Sequence, residues 1–361
     1  MLVETFQKHY QKHARTAPAM SFALGFVFDI ATMGRIDSLW MIAQQGLYLA
    51  VIGVLVLFEL WEKLGDYDPR KHFKKFWRYQ EAVVHFFLGA LLSAYTLFYF
   101  KSASVFSAFF FLSILSALLI ANEFERVRRA GIALRFGMFS LCLASYLIYT
   151  VPIFLGFLGD FPFLLAISCS AALGTIIYYV LRDHLPDKAP LRRQALYPHV
   201  AVHVTFTILY FLRAIPPVPL SISYMGVYHD ISKKGDEYHL SYTRPSWKFW
   251  QNGDQVFEYV PGDKLFGFAS IFSPSGFKDN VYVRWLYKEG EQGWQTQDLI
   301  PIQITGGRDE GFRGYTVKEH FRPGSWRFQV ETEDGREIGR LYFEIEAVSE
   351  IARRESSTEV R

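Results

Sequence analysis

Only two cysteines, Cys142 and Cys169, occur in 361 residues, and both lie inside apolar blocks. No disulfide framework therefore staples the polar part of the chain, which must be stabilised by its own core. Charge is scarce as well: Asp, Glu, Lys and Arg make up 20% of the residues and the net charge is +3. With no basic stripe carrying interleaved aromatics, a nucleic-acid partner is excluded. HExxH, CxxC pairs and repeated histidine boxes are missing, as is any spaced Ser-His-Asp, Cys-His or paired-carboxylate set. The chain thus reads as non-enzymatic, with no cofactor firmly implied. Residues 1–18 hold basic groups but no small-residue cleavage site, and read as a retained cytoplasmic tail rather than a signal peptide.

What the chain does have is apolar residues in long blocks. Hydrophobic residues are 51% of the total; before Arg213 they come in runs separated by short charged stretches, and after Pro217 they are scattered among polar ones. Two solvents are implied. A membrane-crossing helix needs about 20 mostly apolar residues, and segments 19–33, 39–61, 81–100, 105–121, 134–157, 163–181 and 200–215 qualify. About seven spans are therefore expected within 19–215, the first being short and carrying Asp29.

Lys and Arg in short loops resist translocation, so their distribution sets orientation. Three lie in the N-terminal tail, six in 62–80, four in 122–135 and four in 182–198, against Arg35 and Lys101 alone on the other side. The N-terminus is expected inside, and an odd number of spans then puts the C-terminal domain outside. In a bacterium with two membranes that is a multi-pass inner-membrane protein with a periplasmic domain.

Ile215-Pro216-Pro217-Val218-Pro219 ends the last helix, because proline cannot continue one. Beyond it, 264–272, 280–288, 298–304, 312–318, 325–332 and 337–346 carry β-branched or aromatic residues at period two. Asp334-Gly335 predicts a type I′ hairpin turn joining the last two strands. Trp326, Phe328 and Val330 then share one face, as do Leu341, Phe343 and Ile345. About seven strands over 216–348 point to an immunoglobulin-like antiparallel β-sandwich, so the fold class is an α+β membrane protein. The polar stretch 349–361 is expected to be disordered.

Several strings carry a family resemblance: Ile215-Pro216-Pro217-Val218-Pro219-Leu220-Ser221, Gly226-Val227-Tyr228-His229, Pro261-Gly262-Asp263, Val283-Arg284-Trp285, Gly306-Gly307-Arg308-Asp309 with Gly311-Phe312-Arg313-Gly314-Tyr315, and Pro323-Gly324-Ser325-Trp326-Arg327. The membrane half adds Leu24-Gly25-Phe26, Asp29, Thr32 and Gly34-Arg35-Ile36-Asp37. In these the chain resembles a family of bacterial membrane proteins of the domain of unknown function 2914. Val283 stands where that pattern expects a histidine. The resemblance implies an architecture and no activity.

Ionisable groups within spans are costly and so are functional suspects. Glu59, Glu81, His85, Glu123, His199 and His203 fall near inner helix ends. His199 and His203 are spaced i, i+4, as are Glu81 and His85. Such histidines can hold a transition metal or face a haem; alternatively they are interfacial groups that reach water or loop arginines. Toward the outer side, Arg35 can pair with Asp37 or with Asp29, either as an ion or proton site or as a lock on a helical hairpin. The loop Gly306-Gly307-Arg308-Asp309-Glu310-Gly311 can cradle an anion with Arg308 and Arg313, or is a plain tight loop. Trp247, Trp250, Trp285, Trp294 and Trp326 offer an aromatic platform for sugar rings or a protein, or pack in the core. The leading functional expectation is an envelope protein, embedded in the lipid bilayer, whose outer β-sandwich binds a protein or cell-wall polysaccharide. Two others stand beside it: an ion-coupled transporter using Asp29, Arg35 and Asp37, and a metal or haem redox protein using His85, His199 and His203.

Overall fold

The computed structural model describes residues 34–65, 68, 77, 80–103, 108–123, 131–185, 187–307, 311–348 and 355–361. They form two compact units, a helical one that ends at Ile215 and a second one, from Pro216 onward, that also takes in 101–103, 108 and 152–160.

The helical unit contains α1 (Leu39–Leu64), α2 (Gln80–Lys101), α3 (Phe109–Glu123), α4 (Ile132–Leu155), α5 (Asp160–Arg182) and α6 (Tyr197–Phe211). Each overlaps an expected apolar segment; the segment 19–33 with Asp29 lies outside the described residues. The expectation of seven spans is corrected. Among the described residues four helices are long and apolar enough to cross a membrane: Leu39–Leu64, Val83–Lys101, Ile132–Leu155 and Asp160–Arg182. Helices α3 and α6 have 15 residues each, about 22 Å of rise against a hydrocarbon core of about 30 Å. The C-terminus of α6 is fixed by Arg213, whose φ of 56° leaves the helical region. There the N–H groups of Arg213 and Ala214 close on the carbonyls of Tyr210 and Leu209. On its N-terminal side the rod continues only through a π-helical stretch, Arg192–Leu196, and one turn, Ala189–Leu191.

The second unit is built from β1 (Ser221–Tyr228), β2 (Asp230–Lys234), β3 (Glu237–Tyr242), β4 (Val256–Tyr259), β5 (Leu265–Phe272), β6 (Lys278–Glu289), β7 (Gly293–Thr305), β8 (Phe312–Lys318), β9 (Gly324–Thr332), β10 (Glu337–Ala347) and β11 (Ser357–Val360). They make sheets of order β1-β5-β8, β4-β10-β9-β6-β7 and β11-β3-β2. The first two face each other across one core, in which Val227, Leu265 and Ile271 meet Val283, Trp285, Trp326, Phe328 and Phe343. This is a β-sandwich. Without the β2–β3 hairpin and β11, its strand orders are those of an immunoglobulin-like fold, A-B-E opposite G-F-C with one extra strand at each flank. It is not wholly antiparallel, since β4 pairs parallel with β10.

Trp285 shows how closely the layers approach. It is fully buried, its ring lies 4.8 Å from that of Phe328, and its Nε1–H donates to Thr316 Oγ1 on β8 at 3.3 Å. A Cβ at Gly267 on the facing β5 would lie 2.6 Å from Phe328 and 2.7 Å from Trp285. Only glycine leaves room there. Val283, 1% exposed, fills the same core, so the position where the family pattern expects a histidine is a packing position here.

The first sheet is buried on its outer side too. Tyr228 of β1 and Phe268 of β5 point away from the main core and pack with Ile231, Tyr238 and Leu240 of the β2–β3 hairpin. Three layers result where two were expected. Two further expectations change. The β9–β10 hairpin forms, but among its turn residues only Gly335 has a positive φ, so the connection is a three-residue loop closed by Gly335 N–H to Thr332 O rather than a type I′ turn. Asp334 is instead held by Thr332 Oγ1 and by Arg336 Nε at 2.8 Å. And Ser357–Val360, within the stretch expected to be disordered, is a strand on β3.

Candidate functional site

Between β3 and β4 the chain makes a loop, 243–254, whose base is clamped and whose tip is apolar. At the base, Thr243 N–H donates to both carboxylate oxygens of Asp254 at 3.0 Å, and Thr243 Oγ1 lies 3.4 Å from Oδ1. The N–H of Asp254 in turn donates to Val227 O on β1 at 2.8 Å. His229, stacked on Phe257 at 4.1 Å, completes the clamp. Because the Thr243 hydroxyl proton goes to Asp254, His229 Nε2 is the donor to Thr243 Oγ1 at 3.3 Å, and Nε2 lies 3.6 Å from Asp254 Oδ2. The order His229 to Thr243 to Asp254 ties the ends of β1 and β3 to the segment leading into β4.

The tip carries Trp247, Lys248, Phe249 and Trp250. Trp247 is 64% exposed, Phe249 81% and Trp250 61%. The rings lie against one another, Trp247–Trp250 at 5.6 Å and Phe249–Trp250 at 5.3 Å, with Lys248 Nζ 5.3 Å from the Trp247 ring. Two turn bonds, Lys248 N–H to Pro245 O and Gln251 N–H to Lys248 O, hold the chain between them. Three large aromatics in water on a pinned loop cost solvation in the free protein and form an exposed apolar patch whose shape the loop holds.

Burial pushes the Asp254 carboxyl up to about 6, against opposing hydrogen bonds from Thr243 and the backbone of Arg244. The sign follows from linkage. A carboxyl whose folded pKa lies above its unfolded value near 4 binds more protons in the native state across that interval. Its contribution is present below pH 4 and lost as pH rises to 6. Asp254→Asn is expected to remove a fall of about 2–3 kcal/mol between pH 4 and 6 from the unfolding free energy, measured by denaturant titration at each pH.

Two buried groupings among the described residues of the helical unit bring ionisable side chains together. His203 Nδ1–H donates to His199 O at 2.8 Å, and its Nε2 accepts from Ser170 Oγ at 2.9 Å. His199 Nε2–H donates to Ala171 O at 3.1 Å, and its Nδ1 lies 2.8 Å from Ser140 Oγ. The rings are 4.2 Å apart, and with every ring nitrogen engaged neither turns a lone pair to a shared metal. Among the described residues no group of three or more His, Cys, Asp and Glu could hold a metal ion, so His85 does not join the pair as expected. Gly174 makes the packing possible: a Cβ there would lie 2.1 Å from His199 Cε1. Gly174→Ala is expected to lose about 1–3 kcal/mol by overpacking, checked by thermal unfolding in detergent. In the second grouping Arg135 pairs with Glu59 and reaches Glu81 at 3.4 Å, while Lys63 Nζ lies 2.8 Å from Glu59.

The remaining expected residues disperse. Arg35 clasps Asp37 with two bonds of 3.0 Å just ahead of α1, the local pairing foreseen; Asp29 and Arg308 lie outside the described residues. Arg313 sits with its guanidinium 5.7 Å from the Tyr238 ring. The five-tryptophan platform does not form: Trp285 and Trp326 are core, and Trp294 packs on Tyr342 at 5.4 Å. Only Trp247 and Trp250 gather, with Phe249, a residue the sequence reasoning passed over although the run Trp-Lys-Phe-Trp was visible. Asp254 and Thr243 gave no sequence signal.

Residues 278–345, from β6 into β10, match the family model described as Protein of unknown function (DUF2914). That segment belongs to the DUF2914 family. The DUF2914 match covers strands of the sandwich and stops short of the 243–254 loop. No curated protein matches the chain. Among solved structures, an immunoglobulin-like protein from Pseudomonas aeruginosa is 12% identical over 36% of this chain and 98% of its own, with a TM-score of 0.22. A β-glucosidase from Listeria innocua is 11% identical over 32% of this chain and 17% of its own, at 0.20. TM-scores of this size carry no argument for this chain, whose fold rests on its own strand order.

Proposed function

We propose that this is an integral protein of the bacterial inner membrane whose β-sandwich, on the periplasmic side, binds an envelope ligand through the 243–254 loop and catalyses no reaction. The observation that carries the proposal is the exposed Trp247-Phe249-Trp250 cluster on a loop clamped by Asp254. Aromatic faces of this kind stack on sugar rings or anchor a protein partner, so the ligand is a cell-wall polysaccharide or an envelope protein. Membrane insertion is supported by the four long apolar helices and by exposed Trp40, Phe86, Ile176 and Phe211 on the helical unit, which in water would be a large unsatisfied surface. Orientation is supported by the crowding of Lys and Arg into 62–80, 122–135 and 182–198. With α3 and α6 short, local thinning of the bilayer lets each still carry the chain across.

The test is binding of full-length protein in nanodiscs to soluble peptidoglycan fragments, together with photo-crosslinking from position 249 in intact cells. Trp247→Ala with Trp250→Ala is expected to weaken fragment binding, or to abolish the protein crosslink, by at least about tenfold, the size of one lost aromatic anchor, without lowering the melting temperature. Binding and crosslinking unchanged by the double substitution would sink the proposal.

A further inference from the structure

Strand β11 is held as a bound peptide is held. It pairs antiparallel with β3, Ser357 opposite Tyr242, Thr358 opposite Ser241, Glu359 opposite Leu240 and Val360 opposite His239. Arg361 and Tyr238 then exchange N–H···O bonds of 2.9 and 2.7 Å. Ser357, Thr358 and Val360 stay exposed, and only Glu359 turns inward. Its Oε1 accepts from the hydroxyls of both Tyr224 and Tyr228, which lie 2.8 Å from each other, and the Arg361 guanidinium sits 4.1 Å from the Tyr224 ring.

The receptor half of this contact is built. Tyr228 is fully buried, and its hydroxyl would lose a charged acceptor if an apolar side chain replaced Glu359. Burial keeps both phenols protonated, Tyr224 pushed up to about 12 and Tyr228 higher, so they remain donors at neutral pH. On its other side β3 is paired with β2, so the edge that β11 covers would otherwise be an open row of backbone donors and acceptors.

We propose that the β3 edge, together with the Tyr224–Tyr228 hydroxyl pair, is a binding site for an extended peptide strand that carries a carboxylate side chain, with Ser357–Val360 as its resident occupant. Backbone bonds along β3 supply affinity and the two hydroxyls supply sequence preference, the division of labour in strand addition. Being on the same chain, the resident strand competes at high effective concentration. A partner's acidic strand binds where the resident one is released.

The probe is a fluorescent peptide with the sequence of residues 355–361. A chain lacking 349–361 is expected to bind it at least tenfold more tightly than the full-length protein, and a probe with Glu359→Gln is expected to bind that truncated chain at least tenfold more weakly. A folded truncated chain that ignores the peptide, or takes both probes equally, overturns the proposal. Should truncation unfold the domain, full-length Glu359→Gln protein decides: tighter probe binding than the unaltered full-length chain supports the site, and equal or absent binding overturns it.

Discussion

Arg135→Met is expected to cost about 3–5 kcal/mol, because it removes one partner of a buried ion pair and leaves the other charged in an apolar surround. Glu59 is 1% exposed and Arg135 4%, and Glu59 Oε2 already has no hydrogen-bond partner among the described residues. Lys63 stays at Glu59 Oε1, but from a side chain that is 45% exposed, so it screens the loss only in part. Replacing both members, Glu59→Leu with Arg135→Met, is expected to recover most of the stability, since a matched apolar pair avoids the desolvation cost altogether. Thermal unfolding of the single and double variants in one detergent separates the two outcomes. A single variant as stable as the parent would mean that Glu59 finds water.

Trp285→Ala is the second large effect, about 3–5 kcal/mol for truncating a buried aromatic. The side chain spans the sandwich, against Phe328 and Phe343 in its own sheet and Gly267 and Thr316 in the other. Gly267 offers no side chain to collapse into the hole, which favours the upper end of the range. Denaturant unfolding followed by tryptophan fluorescence measures it, with Gly267→Ala in the same background as the check. In the cavity the added methyl has space, so the double variant is expected to be more stable than Trp285→Ala alone, whereas Gly267→Ala alone clashes.

Hydrophobic period was enough to place six helices and the strands β5 to β10, because in both cases burial of one face dominates the residue pattern. It failed for β1 to β4 and β11. The β2–β3 hairpin mixes Asp230, Lys233, Lys234 and Glu237 with Ile231, Tyr238 and Leu240, and its core lies against the outer face of β5, a layer that no alternation within the hairpin announces. Ser357–Val360 is polar by composition and is ordered by one carboxylate and an open edge, both supplied by distant residues. The site divides the same way. Exposed Trp247 and Trp250 were among the expected aromatics, since exposure is a property of the loop itself. The clamp was not legible: Asp254 matters because the fold brings Thr243 and Val227 to it. His199 and His203 were recognised as a pair from their spacing, but whether their nitrogens were free depended on Ser140 and Ser170 from other helices.

The parallel pairing of β4 with β10, Val256 beside Glu344 through Tyr259 beside Ala347, bears on how the domain is made. These two strands are separated by nearly all the rest of the sandwich, so the loop that must close is long and the pairing is slow relative to a hairpin. As the chain emerges N-terminus first, β1 and β5 are made early, yet Val227, Leu265 and Ile271 gain their complete facing layer, in which Val283 and Trp285 of β6 are joined by Trp326, Phe328 and Phe343, only once β9 and β10 exist. The sandwich therefore closes only after β10 has been made, and its early strands pass through an interval in which their apolar side is open to aggregation.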